Sequence, residues 1–100
     1  MPGRQPTGTA TFLFTDVEGS TRLWEEHPGE MRGALERHDQ ILRHAIESRG
    51  GYVFSTAGDA FAAAFAGVQD ALDAAVDAQR QLGAEAWPEP VRVSVRMGLH

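Results

Sequence analysis

The sequence predicts an α+β domain with the element order strand, helix, helix, strand, strand, helix, strand. Three observations support this prediction: two long segments have apolar residues at helical spacing, four short segments have strand-like runs, and a Gly-Asp turn joins the second and third of these runs. This order is the split βαβ arrangement of a ferredoxin-like core. The 100 residues, 42% of them hydrophobic, are enough for one compact domain.

The first two elements are short. A strand is predicted over residues 9–15, where β-branched and aromatic side chains follow one another as in a central strand. Ser20 or Thr21 can cap a short helix that continues to Trp24, and Pro28 interrupts it.

Two longer helices are predicted from stripes of apolar residues at helical spacing. The first covers residues 30–49 and ends at the Gly50-Gly51 pair, and the second covers residues 67–82 with acidic residues on its far side. The first stripe consists of Met31, Leu35, Ile41, Leu42, Ala45 and Ile46, and the second includes Val68, Ala71, Leu72, Ala75, Val76 and Leu82.

The remaining strands complete the sheet. Strands over residues 52–56 and 60–65 form a hairpin around Gly58 and Asp59. The last strand, over residues 91–99, alternates apolar and polar side chains with a period of two.

This topology brings two carboxylates together. A right-handed crossover makes the first and second strands parallel, and the third strand lies between them. Asp16, just past the first strand, and Asp59, in the hairpin, are therefore expected at one edge of the sheet, on neighbouring strands.

Composition excludes several classes of function. The fourteen acids outnumber the nine basic residues, all arginine, and the net charge of −5 argues against an electrostatic grip on nucleic acid or an anionic membrane. The absence of cysteine and lysine excludes disulfides, thiolate chemistry, a Walker lysine and a Schiff base. Residues 1–8, rich in Pro and Gly, are predicted to be a flexible leader without signal-peptide character, and no run is long enough to span a bilayer. A cytoplasmic location is expected.

Asp16 and Asp59 are the candidate metal ligands. Two carboxylates at a strand edge can hold one or two magnesium ions, which prefer oxygen ligands and shield a triphosphate. The turn after Asp16 contains Gly19 and leads into a helix, so its amides suit phosphate oxygens. Considered separately, Asp16 is more simply interpreted as a helix cap, and Asp59 is more simply interpreted as a residue that favours a turn. Their expected position at the same edge of the sheet is what favours a metal site.

The four histidines fit no metal-site template, because His38 and His44 are six residues apart on a helix and face different directions. They are expected to be solvated or to lie on a helix surface. Phe61 is expected in the core.

Three motifs, in this order, carry a resemblance to a known family. Residues 12–21 (FLFTDVEGST), 50–61 (GGYVFSTAGDAF) and 95–100 (VRMGLH) resemble the class III adenylate/guanylate cyclase catalytic domain, particularly its bacterial branch. The resemblance extends from about residue 9 to the last residue. Residues 9–100 are thus interpreted as the N-terminal part of a nucleotide cyclase catalytic domain.

The resemblance implies an activity for intracellular signalling. In the implied reaction, the 3′-hydroxyl of ATP or GTP attacks the α-phosphate, which yields the 3′,5′-cyclic nucleotide and pyrophosphate. Two Mg²⁺ or Mn²⁺ ions would be held by Asp16, the Val17 carbonyl and Asp59. Two catalytic domains would pair head to tail, as a homodimer or with a complementary cyclase domain. The triphosphate would lie on amides of Val17, Glu18, Gly19, Ser20 and Thr21.

Two departures from the family pattern bear on function. Ser55 stands four residues before Asp59, where members that prefer ATP have a base-selecting lysine. The family's asparagine and arginine, which position the ribose and stabilise the pentavalent phosphate, belong to elements beyond the matched part, so no catalytic residue is assigned here. The alternative is a catalytically inactive regulatory or dimerisation module with the cyclase fold. A diguanylate cyclase or polymerase would predict a Gly-Gly-acidic-acidic hairpin, which Gly58-Asp59-Ala60 does not supply.

Overall fold

The structure, a computed structural model, describes residues 10–100, and the predicted leader over residues 1–8 lies outside this range. The sheet has the strand order β2-β3-β1-β4, with every neighbouring pair antiparallel. β3 therefore lies between the parallel strands β1 and β2, which confirms the ferredoxin-like arrangement. The elements are β1 (Thr11–Val17), α1 (Ser20–Glu26), α2 (Pro28–Glu47), β2 (Tyr52–Ala57), β3 (Ala60–Phe65), α3 (Val68–Ala84) and β4 (Val95–Leu99).

Two strand boundaries differ from the prediction. β1 continues to Val17, so Asp16 lies inside the strand rather than just past it, because Asp16 and Val17 pair with Arg96 and Val95 of β4. β4 begins only at Val95, since β1 ends opposite that residue. Alternation along a single strand does not show where its neighbour ends.

α2 and α3 pack against each other and cover one face of the sheet. From β1 this core receives Leu13 and Val17, which are 1% and 3% exposed. The predicted stripe of α3 is only partly correct: Ala71, Ala74, Ala78 and Leu82 are buried, whereas Val68, Leu72 and Val76 are exposed. Alanines let α3 lie close to the sheet, and the larger side chains fall to one side. No helix in the described part of the chain is long and apolar enough to cross a membrane.

The opposite side of the sheet, called here the open face, carries exposed aromatic side chains. Phe12 and Phe14 alternate with buried residues of β1 and are 38% and 42% exposed. Phe12 lies edge-on to Phe54 of β2, with ring centroids 5.9 Å apart, and Phe14 lies edge-on to His100 at 5.6 Å. These four residues are called the open-face cluster.

The prediction of a surface position was wrong for His38, which is fully buried. Its Nδ1 lies 2.8 Å from Asp39 Oδ1, and its ring lies edge-on to Phe61 at 5.8 Å. The reason is helical spacing, since His38 is four residues from both Ala34 and Leu42 on the buried stripe of α2. Phe61 is 3% exposed, which confirms its predicted place in the core.

Substituting Gly51 with alanine is expected to destabilise the fold by about 1–3 kcal/mol. A Cβ there would stand 2.5 Å from Phe65 and 2.6 Å from Ile46, both fully buried, so one of them must leave its packed position. Urea unfolding followed by circular dichroism measures the change. The control is Gly33→Ala in α2, whose Cβ would meet open space, and which should stabilise the helix by about 0.5–1 kcal/mol. A Gly51→Ala protein as stable as the wild type would contradict this packing.

Candidate active site

A pocket of about 350 Å³ opens on the open face, between the ends of β1, β2 and β4. The sheet register builds it: Phe14 lies between Ala62 and Gly98, and Ser55 lies opposite Ala62. Most of these positions carry small side chains, which leaves room for the pocket. The lining residues are Phe14, Thr15, Asp16, Ser55, Ala57, Ala60, Phe61, Ala62, Arg96, Met97 and Gly98.

Asp59 reaches from the β2–β3 turn to the end of β1. Its Oδ2 accepts a hydrogen bond of 2.6 Å from the Val17 amide. The bond joins the two segments that carry Asp16 and Asp59, so the structure places these carboxylates at one edge of the sheet, as the topology predicts. A bond to an ionised acceptor is stronger than a neutral one and fixes the turn to the strand.

The Val17 carbonyl faces the same side as Asp59. Phe12 and His100 exchange both backbone hydrogen bonds between β1 and β4. Backbone groups alternate in direction along an antiparallel strand, so those of residues 12, 14 and 16 point to β4 and those of residues 13, 15 and 17 point to the β3 side. Asp59 and the Val17 carbonyl therefore lie on the β3 side of the end of β1, and the Asp16 carboxylate, bonded to Arg96, lies toward β4. This all-oxygen donor set fits Mg²⁺ or Mn²⁺.

Among residues 10–100, no group of three or more His, Asp or Glu side chains is arranged to hold a metal ion. A site at the end of β1 would have two carboxylates, and its further ligands would be the Val17 carbonyl, water and phosphate oxygens, which is the usual way that proteins bind Mg²⁺.

Arg96 is the site residue that the sequence analysis missed. Its Nε and a terminal guanidinium nitrogen donate to the two carboxylate oxygens of Asp16, at 2.8 Å and 2.9 Å. This hydrogen bond and the negative charge of Asp16 raise the pKa of Arg96 above its ordinary value. Side chains alternate between the two faces of the last strand, so Arg96 points to the face opposite that of Val95 and Met97. The pairing of β4 with β1 then brings Arg96 beside Asp16.

Among the described residues, only some amides of the predicted phosphate turn are free of hydrogen-bond acceptors. The Val17 amide donates to Asp59, and the Glu18 amide donates to the Ser94 carbonyl at 2.8 Å. Gly19 has a φ of 65° and precedes α1 without a capping side chain. The first hydrogen bond within α1 comes from Leu23, so the amides of Ser20 and Thr21 have no acceptor in the helix.

Comparison with known proteins decides the family. The model of the adenylate and guanylate cyclase catalytic domain matches residues 3–100. This chain belongs to that family. This match confirms the resemblance seen in the three motifs. The chain is also similar to curated proteins and to solved structures.

Among curated proteins, the chain is 41% identical over 91 residues to an adenylate cyclase of Schizosaccharomyces pombe, a match covering 91% of this chain and 5% of that protein. It is 42% identical over 97 residues to an uncharacterized protein of Mycobacterium tuberculosis, covering 95% of this chain and 32% of that protein. This cyclase domain thus spans a small part of the S. pombe enzyme and about a third of the mycobacterial protein.

The fold is also that of solved cyclase structures. A structure of adenylate cyclases from Trypanosoma brucei in their monomeric state matches with a TM-score of 0.87 and 26% identity, over 97% of this chain and 58% of that chain. A bacterial light-regulated adenylyl cyclase matches with a TM-score of 0.80 and 23% identity, over 90% of this chain and 51% of that chain, which supports the fold alone.

Proposed function

We propose that residues 9–100 form the metal- and triphosphate-binding part of a cyclase catalytic domain that converts ATP or GTP to the 3′,5′-cyclic nucleotide and pyrophosphate for intracellular signalling in the cytoplasm. The observation that supports the proposal is the hydrogen bond from the Val17 amide to Asp59, which brings Asp59 to the strand end that carries Asp16, next to an open pocket, in a chain of this family. Asp16 also lines this pocket, so the phosphates would bind at the oxygen donors while the rest of the nucleotide binds in the pocket beside them.

Asp16, Asp59 and the Val17 carbonyl would hold two Mg²⁺ or Mn²⁺ ions. When bound, such ions neutralise triphosphate charge and favour ionisation of the attacking hydroxyl. The chain itself adds the free amides of Ser20 and Thr21, which would donate to phosphate oxygens. The amides of Val17 and Glu18 already have acceptors. These two residues would therefore contribute to triphosphate binding by holding the backbone of the turn in position.

Arg96 would act as a replaceable counter-ion. Its pair with Asp16 is exposed, the side chains being 63% and 46% accessible, and an exposed ion pair of this kind contributes little to stability. A divalent ion with several oxygen ligands can therefore displace the guanidinium from Asp16. The freed Arg96 would remain beside the pocket, where it can donate to a phosphate oxygen.

We expect Arg96→Ala to change metal and nucleotide affinity in opposite directions. Mn²⁺ alone should bind up to about fivefold more tightly, because no guanidinium competes for Asp16. Mn²⁺ with a nucleoside triphosphate should bind more weakly, because a phosphate donor is lost. Electron paramagnetic resonance of free Mn²⁺ measures the first change and titration calorimetry the second. Arg92→Ala removes the same charge from a nearby exposed site and controls for long-range electrostatics. Equal changes in the two variants would contradict the role of Arg96.

Ser55 would contact the base. It lines the pocket among Ala57, Ala60 and Ala62. A hydroxyl both donates and accepts hydrogen bonds and carries no charge, so it offers adenine and guanine comparable contacts. The proposed substrate is therefore ATP or GTP.

A second cyclase domain, from another copy or a complementary chain, would cover the open face and complete the site. The open-face cluster supports this, since Phe54 is 46% exposed and adjoins Phe12, which in turn adjoins Phe14. Contiguous exposed aromatics of this kind mark protein interaction sites.

Titration calorimetry with Mn²⁺ and ATP or GTP tests the proposed function directly. Binding that requires both metal and nucleotide supports it. Nucleotide that does not bind in the presence of metal contradicts it and favours the non-catalytic regulatory or dimerisation module.

A further inference from the structure

The start of β4 contacts the proposed site at two places. The Ser94 carbonyl, one residue before the strand, accepts a hydrogen bond of 2.8 Å from the Glu18 amide in the predicted phosphate turn. Two residues later, the Arg96 guanidinium donates to both carboxylate oxygens of Asp16. The position of this short segment therefore affects both the backbone of the turn and the direction of the Asp16 side chain.

Between these two contacts, the segment is held from the helix layer. The side-chain amide of Gln79, on α3, donates a partly buried hydrogen bond of 2.8 Å to the Val95 carbonyl. Because a carbonyl only accepts hydrogen bonds, the group of Gln79 that faces it is the NH₂ group. Val95 is 8% exposed, so its carbonyl has little access to water in place of this donor.

The carbonyls of this segment point in opposite directions. Backbone groups alternate in direction along an antiparallel strand. Those of Ser94 and Arg96 point toward β1, as the bond between Ser94 and Glu18 requires, and those of Val95 point away from it. The start of β4 is therefore held by β1 on one side and by Gln79 of α3 on the other.

We propose that Gln79 is a positioning residue of the cyclase site, an inference that rests on the proposed function because it concerns the same site. Gln79 contacts neither Asp16 nor the turn. By fixing Val95, it keeps Arg96 on Asp16 and keeps the preceding carbonyl on the turn. A buried carbonyl that loses its donor carries a desolvation penalty, so without Gln79 the segment would shift until that carbonyl reaches water. This shift would loosen both contacts together.

Amide hydrogen exchange measured by nuclear magnetic resonance tests this link without any ligand. In the full chain, Gln79→Met keeps the length of the side chain and removes its donor. We expect the Glu18 amide to exchange at least about fivefold faster, because its acceptor Ser94 is no longer fixed. The Phe14 amide, which points to Gly98 further along β4, should exchange as in the wild type. Unchanged exchange at Glu18 overturns the proposal, and so does equal acceleration of both amides, which would indicate a general loss of stability.

Binding of Mn²⁺ measures the effect of Gln79→Met on the site. Mn²⁺ alone should bind about twofold or more tightly, because the guanidinium of Arg96 is held less firmly on Asp16, whereas Mn²⁺ with a nucleoside triphosphate should bind more weakly. A residue that only stabilised the fold would weaken both. Adding Gln79→Met to Arg96→Ala should not tighten Mn²⁺ binding further, since no ion pair is left to loosen. An equal effect of Gln79→Met in both backgrounds overturns the proposal.

Gln81→Met is the matched control, because Gln81 is on the same helix and its amide donates to Asp77 within α3. It should change neither exchange nor affinity. Gln79→Glu is a second disrupting variant, since an ionised carboxylate accepts hydrogen bonds and does not donate them. Circular dichroism verifies folding, and if one of the two Gln79 variants is unfolded, the other decides.

The outcomes separate this role from the proposed function. A wild-type chain that binds no nucleotide in the presence of Mn²⁺ contradicts the proposed function, and the positioning role fails with it. Wild-type binding that is intact, with a Gln79→Met protein that exchanges and binds like Gln81→Met, overturns only the role of Gln79.

Discussion

Replacement of Asp16 or Asp59 by alanine is expected to weaken metal-dependent binding of a nucleoside triphosphate by more than about 100-fold. Loss of a residue that only supports a metal ligand typically costs about 10–100-fold in affinity, and loss of a ligand itself should cost more. The proposed donor set has two carboxylates, Asp16 and Asp59, and each would supply its own oxygens to the metal ions, so neither would substitute for the other. Titration calorimetry of the variants with Mn²⁺ and ATP or GTP measures the change.

The asparagine variants separate metal binding from folding. An amide oxygen at position 59 can still accept the hydrogen bond from Val17, and one at position 16 can still accept from Arg96. Asp59→Asn and Asp16→Asn should therefore unfold at nearly the wild-type temperature and still lose most metal-dependent binding. Asp70→Ala, an exposed carboxylate of α3, should bind like the wild type. Wild-type affinity in either alanine variant would refute the proposed site.

The sequence was sufficient for the topology because each element has its own local signal. Alternation in β4, the apolar stripe of α2 and the Gly58-Asp59 turn are all properties of neighbouring residues. Right-handed crossover then orders the strands, which is why the sequence predicts Asp16 and Asp59 at one edge of the sheet.

Properties that depend on pairing between distant segments were not predicted. The extension of β1 through Asp16, and the bidentate contact of Arg96, follow from the register of β1 against β4, eighty residues apart in the chain. The misplacement of His38 had a different cause. Its spacing from His44 bears only on a metal site, whereas its spacing from Ala34 and Leu42 on the same helix places it in the core.

The exposed side of α3 illustrates a further limit of sequence patterns. Val68, Leu72 and Val76 belong to the same apolar sector as Ala71 and Leu82, and periodicity gives one broad stripe. Only packing shows that the alanines contact the sheet while the larger side chains remain at its edge. A broad apolar stripe therefore does not by itself show which of its side chains enter the core.

A polypeptide of residues 1–100 alone is expected to show no measurable cyclase turnover, even where it binds metal and nucleotide. The family resemblance assigns ribose positioning and stabilisation of the pentavalent phosphate to an asparagine and an arginine in elements beyond the matched part. The matched part corresponds to 58% of the T. brucei structure. Loss of a single preorganised donor costs about 10²–10³ in rate, so loss of two lowers turnover by about 10⁴–10⁶.

Incubation with Mn²⁺ and ATP or GTP, followed by mass spectrometry of cyclic AMP and cyclic GMP, measures this turnover. Addition of a polypeptide containing the remaining elements of a related cyclase domain is the positive control, because it supplies the missing donors across the open face. Turnover that appears on this addition and is absent from the Asp59→Ala protein would assign the metal and phosphate part of the reaction to this chain. Cyclic nucleotide formed by residues 1–100 alone, and lost in Asp59→Ala, would show that Asp16, Asp59, Arg96 and the turn amides are sufficient for catalysis.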